Sequence, residues 1–394
     1  NMADNYLENH YEEYLKRKAD WEKSKKCSFR RTAPKTNVCI CGGGNIGHVL
    51  SGFLGSKENY KVTILTRQPD KWCAKDNLPL TVTDCNGKIF NGLIFATDNP
   101  ELAMKDCDIV FITLPGFAIA EQLRLIAPYV TPKTYIGSVF CSSGFFPMAM
   151  KILPQNSKLF GFQRVPFISR LVKYGHSANL LGYRPQFNIA TYNIDNKQAI
   201  GTLLNKMFDT QIKLLDNYME ATLTNSNPLL HPSRLYGMIK GKELPFDRNI
   251  LFYEEWDNIS SQLLIDCDRE FQELIKKLQI SQSAIPTILD YYESHDADSL
   301  TKKIKSIKSF CGIYAPLTKV ENGYIPDYTS RYFTEDIPYG LILIKSYAVK
   351  YNVSTPKIDS IILWAQENMG KKYLIDGELN GENIDETIAK YIIE

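Results

Sequence analysis

The sequence predicts an α/β protein with an N-terminal, doubly wound parallel sheet followed by an all-α C-terminal domain. Three observations carry this. Strand-like apolar runs alternate with helical patterns from residue 37 to about residue 216. The apolar run at 38–41 breaks into Gly42, Gly43 and Gly44 and resumes as a helical pattern, which is the signature of a strand–turn–helix unit. Beyond Asp216 the strand signals give way to amphipathic helices. The expected division is an N-terminal extension and linker over 1–35, a sheet domain over 36–217 and a helical domain over 218–394.

Within the extension, Leu7, Tyr11, Tyr14, Leu15, Lys18 and Trp21 recur at helical spacing opposite charged residues, so residues 4–26 read as an amphipathic helix outside the main fold. NVCICG is the first strand, residues 45–55 the first helix and KVTILTR the second strand. TVTDCNGKIFNGLIFA reads as a hairpin turned by Asn86-Gly87, a dipeptide that accepts the positive φ such turns require. CDIVFITLP is the near-continuous apolar run of a parallel strand covered on both faces. A helix at 117–127, TYIGSVFCSSG, KLFGFQRVP, FNIATY, a helix near 196–208 and QIKLLDN complete the alternation, which reads as a Rossmann-type sheet.

In the helical domain, Ile259, Leu263, Cys267, Phe271, Leu274 and Leu278 form one stripe on a long helix. Thr355 before Pro356 reads as an N-cap with proline at the first helical position, and Gly370 as the stop. Ile358, Ile361, Ile362, Ala365 and Met369 are the buried stripe between them, and Ile384, Ile388 and Tyr391 mark a last helix.

A chain of 394 residues with 44% hydrophobic and 23% charged residues has the balance of a globular protein. A net charge of +2 gives no reason to expect nucleic acid or membrane as a partner. Nine cysteines, an odd number without a C-x-x-C pair, read as buried free thiols in a reducing compartment. No apolar run approaches the roughly 18 residues of a membrane span, and no signal-type apolar region opens the chain. The expectation is a cytoplasmic protein with small-molecule substrates, no metal, and a homodimer as a reasonable assembly.

Gly42, Gly44 and Gly47 satisfy G-x-G-x-x-G between a strand and a helix. The first glycine makes the turn, the second lets a pyrophosphate approach the backbone, and the third lets helix pack on strand. The helix N-terminus then offers N–H groups and partial positive charge to phosphate. Asn45, Ile46, Leu114 and Pro115 are counted with the glycines as cofactor contacts. At the end of the second strand an NAD-preferring site carries an acid for the ribose 2′-hydroxyl. Thr66 and Arg67 stand there instead, and an arginine can hold a 2′-phosphate, with Lys71 adding charge. NADP(H) is favoured over NAD(H), which Asp70 serves only if its loop folds back.

Of the five histidines, His10 and His295 read as solvated, His48 as a packing residue in the first helix, and His176 as a loop residue near the sheet's end. His231, in NSNPLLHPSRLYG, sits between prolines just past the domain boundary, where a rigid loop or helix start suits a general acid–base. IPDYTSRYFTEDIPYGL gathers Asp327, Arg331, Glu335 and Asp336 among aromatics. Glu335 and Asp336 have a bland reading as acids near a helix N-terminus. Arg331 has the fork that binds a carboxylate.

GGGNIGH at 42–48, NPLLHPSR at 227–234, SRYFTEDIPYGL at 330–341 and TPKIDSIILWAQ at 355–366 together resemble the octopine/nopaline dehydrogenase family of opine dehydrogenases. The resemblance runs from about residue 37 to 373 and leaves the first 35 residues uncovered. It implies a Rossmann domain joined to a helical domain. It also implies reversible NAD(P)H-dependent condensation of an amino acid with a 2-oxo acid such as pyruvate. By motif it implies His231 as catalytic acid–base, Asp336 as its partner and Arg331 as holder of a carboxylate. Asp327 competes with Asp336, and Gln163 and Asn227 are counted as further substrate contacts. The rival readings are a ketopantoate-type reductase and a non-catalytic dinucleotide sensor.

Overall fold

The computed structural model describes residues 35–393. The helix expected at 4–26 lies outside the described residues. The main sheet is built from β1 (Thr36–Cys41), β2 (Tyr60–Leu65), β5 (Ile94–Thr97), β6 (Ile109–Ile112), β7 (Tyr135–Ser138), β8 (Lys158–Phe162), β11 (Gln186–Tyr192) and β12 (Gln211–Leu214). Its order is β12-β11-β8-β7-β6-β1-β2-β5. Every neighbouring pair is parallel except β8 and β11. The chain runs from β1 outward to β2 and β5, then returns to β6 and continues the other way, so the order reverses between β1 and β6. The crevice at the carboxyl ends of two such strands is where open α/β sheets bind ligands.

A second sheet has the order β4-β3-β10-β9, from β3 (Leu80–Asp84), β4 (Ile89–Gly92), β9 (Phe167–Lys173) and β10 (Ser177–Tyr183). The β3–β4 hairpin turns as expected, with Gly87 at φ +80 and the Asp84 carboxylate accepting the Asn86 and Lys88 N–H groups. The β9–β10 hairpin is a difference from the sequence reading, which left this stretch without strands. Helix α1 (Asn45–Gly55) lies between the two sheets and is buried continuously from Gly47 to Leu54, as a helix apolar on all sides must be. Helices α2 (Pro100–Met104), α3 (Gly116–Ile126), α4 (Phe145–Ile152) and α5 (Lys197–Phe208) complete the sheet half.

The second half is helical: α6 (Asn227–Ile239), α7 (Asn258–Lys277), α8 (Ala297–Ser306), α9 (Ile342–Lys350) and α10 (Pro356–Met369). It carries one small hairpin, β13 (Leu317–Val320) with β14 (Gly323–Pro326). On α7 the expected stripe holds at Cys267, Phe271 and Leu274, all fully buried, and fails at its first residue. Ile259 is 59% exposed while Ser260 and Ser261 are buried. Their hydroxyls accept from the Arg234 guanidinium and the Trp256 indole, so polar groups with partners displace an apolar residue from the core. At the start of α10 the Thr355 hydroxyl binds Asp359 and makes no cap bond. Glu270 from α7 caps the helix instead, accepting the Lys357 and Ile358 N–H groups. Gly370 stops it at φ +64. The expected last helix is two separate 3-10 turns, Ile384–Glu386 and Ile388–Tyr391, broken by extended Thr387. No described helix is long and apolar enough to cross a membrane.

Candidate active site

The glycine turn follows β1 at the point of strand reversal. Gly42 sits at φ +118, and a Cβ there would meet the Thr113 hydroxyl at 2.7 Å. A Cβ on Gly47 would lie 1.9 Å from the Gly42 carbonyl oxygen, so the third glycine is what lets α1 close on the turn. A Cβ on Gly44 would meet nothing within 4 Å. The turn therefore presents an open face, and α1 begins above it with no side-chain cap and no acid in its first turn. Free N–H groups beside open backbone fit a pyrophosphate. His48 supports this shape from behind. Its Nδ1–H donates to the Gly44 carbonyl, its Nε2 accepts the Gly175 N–H, and its ring stacks on Trp72 at 4.2 Å.

A groove of about 850 Å³ runs from the turn across the ends of β2 and β6, lined by Gly42, Gly44, Thr66, Arg67 and Leu114 among others. Arg67 is exposed at its edge, and Asp98 and Glu121 bring carboxylates that sequence reasoning missed. Asp70 and Lys71 do not line it. Gly44 and Leu114 also line a cavity of about 290 Å³ that reaches the helical half. Asn45, Ile46 and Pro115 face this cavity from the sheet, and Asn227, Arg331 and Asp336 face it from the helices.

His231 lies inside α6, on its second turn rather than in a loop, and is half-buried. Its Nδ1 is 2.7 Å from Asp336 Oδ2. A carboxylate only accepts, so Nδ1 carries the proton and the neutral ring's Nε2 is the basic nitrogen. Nε2 in turn lies 2.9 Å from the Tyr253 hydroxyl. Burial pushes the Tyr253 phenol well up, so it stays protonated and donates. Tyr253 is held by its neighbours: its ring stacks on Phe310 at 4.1 Å. The buried Arg234 guanidinium, one turn beyond His231, donates to the Phe252 and Glu255 carbonyls on either side. Nothing local in the sequence marks Tyr253; it reaches His231 only through this packing.

Glu335 is buried and spans the two halves. Its Oε1 accepts the Gly116 N–H at 2.7 Å and the Ser143 hydroxyl at 2.9 Å. The acid expected near a helix N-terminus does sit at one, but at that of α3 in the other half. Burial raises its carboxyl, opposed by these two bonds and by the charge of Arg331.

Two expectations are corrected by geometry. Gln163 does not line the cavity. Its amide is consumed in tying the sheet to the helices, donating to the Glu220 and Ala284 carbonyls and accepting from Asn188. Asp327 does not reach His231; its carboxylate accepts the Thr329 N–H and hydroxyl within its own turn. His176 lies in the β9–β10 turn, and His295 is exposed and away from the site. Among the described residues no cluster of potential metal ligands occurs.

His231 itself does not line the cavity and meets it through Asp336. A glycine turn at a strand reversal, opening through one cavity onto the carboxylate partner of a histidine, defines a nicotinamide-dinucleotide oxidoreductase. Known proteins specify which. Residues 214–369 match the family model described as NAD/NADP octopine/nopaline dehydrogenase, alpha-helical domain, and residues 38–140 match ketopantoate reductase PanE/ApbA. Tauropine dehydrogenase of Arabella iricolor is 30% identical over 390 residues, covering 89% of this chain and 96% of that protein. Octopine dehydrogenase of Pecten maximus is 28% identical over 379 residues, covering 89% and 94%. A solved octopine dehydrogenase structure with NADH and L-arginine superposes with a TM-score of 0.80 at 28% identity, covering 91% of this chain and 96% of that one. The chain belongs to the opine dehydrogenase family, oxidoreductases acting on CH–NH donors.

Proposed function

We propose that this chain condenses an amino acid with a 2-oxo acid, pyruvate in the first instance, and reduces the resulting imine to a secondary amine, reversibly. The observation that carries the reading is Asp336, which lines a cavity whose other wall is the glycine turn and holds His231 at 2.7 Å behind it. Relatives of this size and domain order support it: solved octopine dehydrogenases hold NADH with L-arginine, and NADH with pyruvate.

Condensation joins the amine nitrogen to the carbonyl carbon and releases water. The nicotinamide cofactor supplies the hydride that then goes to the imine carbon. For His231 to take a proton from the incoming ammonium through Nε2, the Tyr253 hydroxyl that donates there must turn aside; the ring then returns one to the leaving oxygen, and in reverse it deprotonates the secondary amine. Asp336 fixes the tautomer that leaves Nε2 basic and stabilises the imidazolium when it forms. Arg331, exposed on the cavity wall, orients a substrate carboxylate, with Asn227 beside it. Gly42, Gly44, Asn45, Ile46, Leu114 and Pro115 hold the dinucleotide, with Gly47 setting the turn's shape. Thr66 and Arg67 sit where the adenosine ribose would lie, and Arg67 favours NADP(H) over NAD(H).

The test is NADPH oxidation with pyruvate and a panel of amino acids. The expected result is turnover that requires both an amino acid and the oxo acid. Turnover with the oxo acid alone would assign the chain to carbonyl reduction, the chemistry of the ketopantoate reductases that its sheet half matches.

A further inference from the structure

Glu335 has one oxygen fully engaged and another with nothing to bind. While Oε1 holds Gly116 and Ser143, Oε2 is buried and has no hydrogen-bond partner among the described residues. A buried acceptor without a donor carries its desolvation cost with no bond to offset it, and native proteins keep few of them. Glu335 is 8% exposed. It nevertheless lines the 290 Å³ cavity, with Ile46 and Ser138 across from it and Arg331 and Asp336 on its own segment. Burial pushes this carboxyl up, and the Gly116 N–H in the first turn of α3, the Ser143 hydroxyl and the charge of Arg331 oppose that push.

We propose that Glu335 is a ligand-binding residue whose free oxygen accepts an N–H from the molecule filling this cavity. Two N–H donors belong there on the function proposed above, on which this inference rests: the nicotinamide carboxamide and the ammonium of the amino acid. The carboxamide is the better match to the cavity's sheet-side wall, since Ile46 and Leu114 follow β1 and β6, which frame the dinucleotide crevice, and Ser138 ends the adjacent β7. In either case the empty acceptor is a reading head for nitrogen. A carbonyl or carboxylate oxygen brought to the same point meets repulsion, so the residue selects the orientation of whatever enters.

Glu335→Gln is the test. The amide oxygen takes over the bonds to Gly116 and Ser143, and the NH2 then lies where Oε2 was, presenting a donor to a donor. Wild type and variant are titrated with NADPH and with 2′,5′-ADP, which has the adenosine half and no nicotinamide. The KM for the amino acid is then measured at saturating NADPH. If the carboxamide is the donor, NADPH binds at least tenfold more weakly to the variant while 2′,5′-ADP is unaffected. If the ammonium is the donor, NADPH affinity holds while the KM for the amino acid rises at least tenfold and that for pyruvate does not. A Glu335→Gln protein of wild-type Tm that binds NADPH and the amino acid as wild type does overturns the proposal, leaving Oε2 to a water. Glu335→Ala removes both oxygens and should reproduce the same pattern of ligand losses, while its Tm reports the Gly116 and Ser143 bonds separately. Wild type that binds none of NADPH, NADH and 2′,5′-ADP refutes the dinucleotide reading itself, a result distinct from a failure of Glu335.

Discussion

His231 and Asp336 are 105 residues apart in the chain and 2.7 Å apart in space. The contact joins the second turn of α6 to the π-helical turn Asp336–Leu341 that leads into α9. His231→Ala should lower kcat by a factor on the order of 10² to 10⁴, the range for a positioned acid–base group, with NADPH affinity retained. Asp336→Asn should lower kcat through the wrong tautomer, again without weakening the cofactor. Steady-state kinetics beside a fluorescence titration of NADPH separate the two effects, and an unchanged kcat in His231→Ala removes His231 from its role.

Tyr253 tests how the basic nitrogen is managed. Its hydroxyl donates to His231 Nε2, and its ring is fixed independently by Phe310. Tyr253→Phe keeps the ring and removes one neutral hydrogen bond, worth about 0.5–1.5 kcal/mol. The expected change in kcat is therefore roughly 2- to 10-fold, far short of that for His231→Ala. A loss as large as that of His231→Ala would mean that the phenol itself carries the proton.

Arg67 tests cofactor choice. Its side chain is exposed at the groove and free to meet a phosphate. A charge-assisted hydrogen bond contributes about 1.5–3 kcal/mol, so Arg67→Ala should weaken NADPH roughly 10- to 100-fold and leave NADH nearly unchanged. Calorimetric titration of both cofactors decides it; equal effects on the two would refute 2′-phosphate recognition.

His48 predicts a pH dependence of stability. The ring is fully buried, and burial holds its pKa below the ordinary value of 6.5. Above that value both folded and unfolded states are neutral at this site, and it contributes nothing to the slope. As pH falls below about 6.5 the unfolded chain takes the proton first, so stability drops until the folded pKa is reached. Urea midpoints should fall more steeply below pH 6.5 in wild type than in His48→Gln. Equal slopes would contradict the assignment. Protonation at Nε2 also breaks the Gly175 bond, so NADPH affinity should weaken only below that window, as pH falls to the lower folded-state pKa.

The main sheet was legible because its strands are covered on both faces and announce themselves as apolar runs, with glycines punctuating the first turn. His231, Asp336 and Arg331 could be named together because each lies in a compact motif, and the structure brings the first two into contact and sets Arg331 on the cavity wall. The β9–β10 hairpin was not, since β10 gains its place by pairing with β3, about a hundred residues earlier, through contacts such as Ala178 with Val82. Gln163 misled for a related reason: its amide binds backbone carbonyls from two distant segments. The α7 stripe was misread only at its start, because a hydrophobic pattern counts Ile259 as core and cannot see that Ser260 and Ser261 have buried partners. Tyr253 left no local sign at all.

Glu335 and Asp336 are consecutive residues with allegiances to different halves of the molecule. Glu335 grips Gly116 and Ser143 of the sheet half, and Asp336 grips His231. A single peptide unit thus links the contact with the sheet half to the contact with His231. Parting the halves drags on the first carboxylate and, through it, on the second. The placement of Asp336 against His231 is thereby tied to the same backbone that joins the helical half to the sheet half.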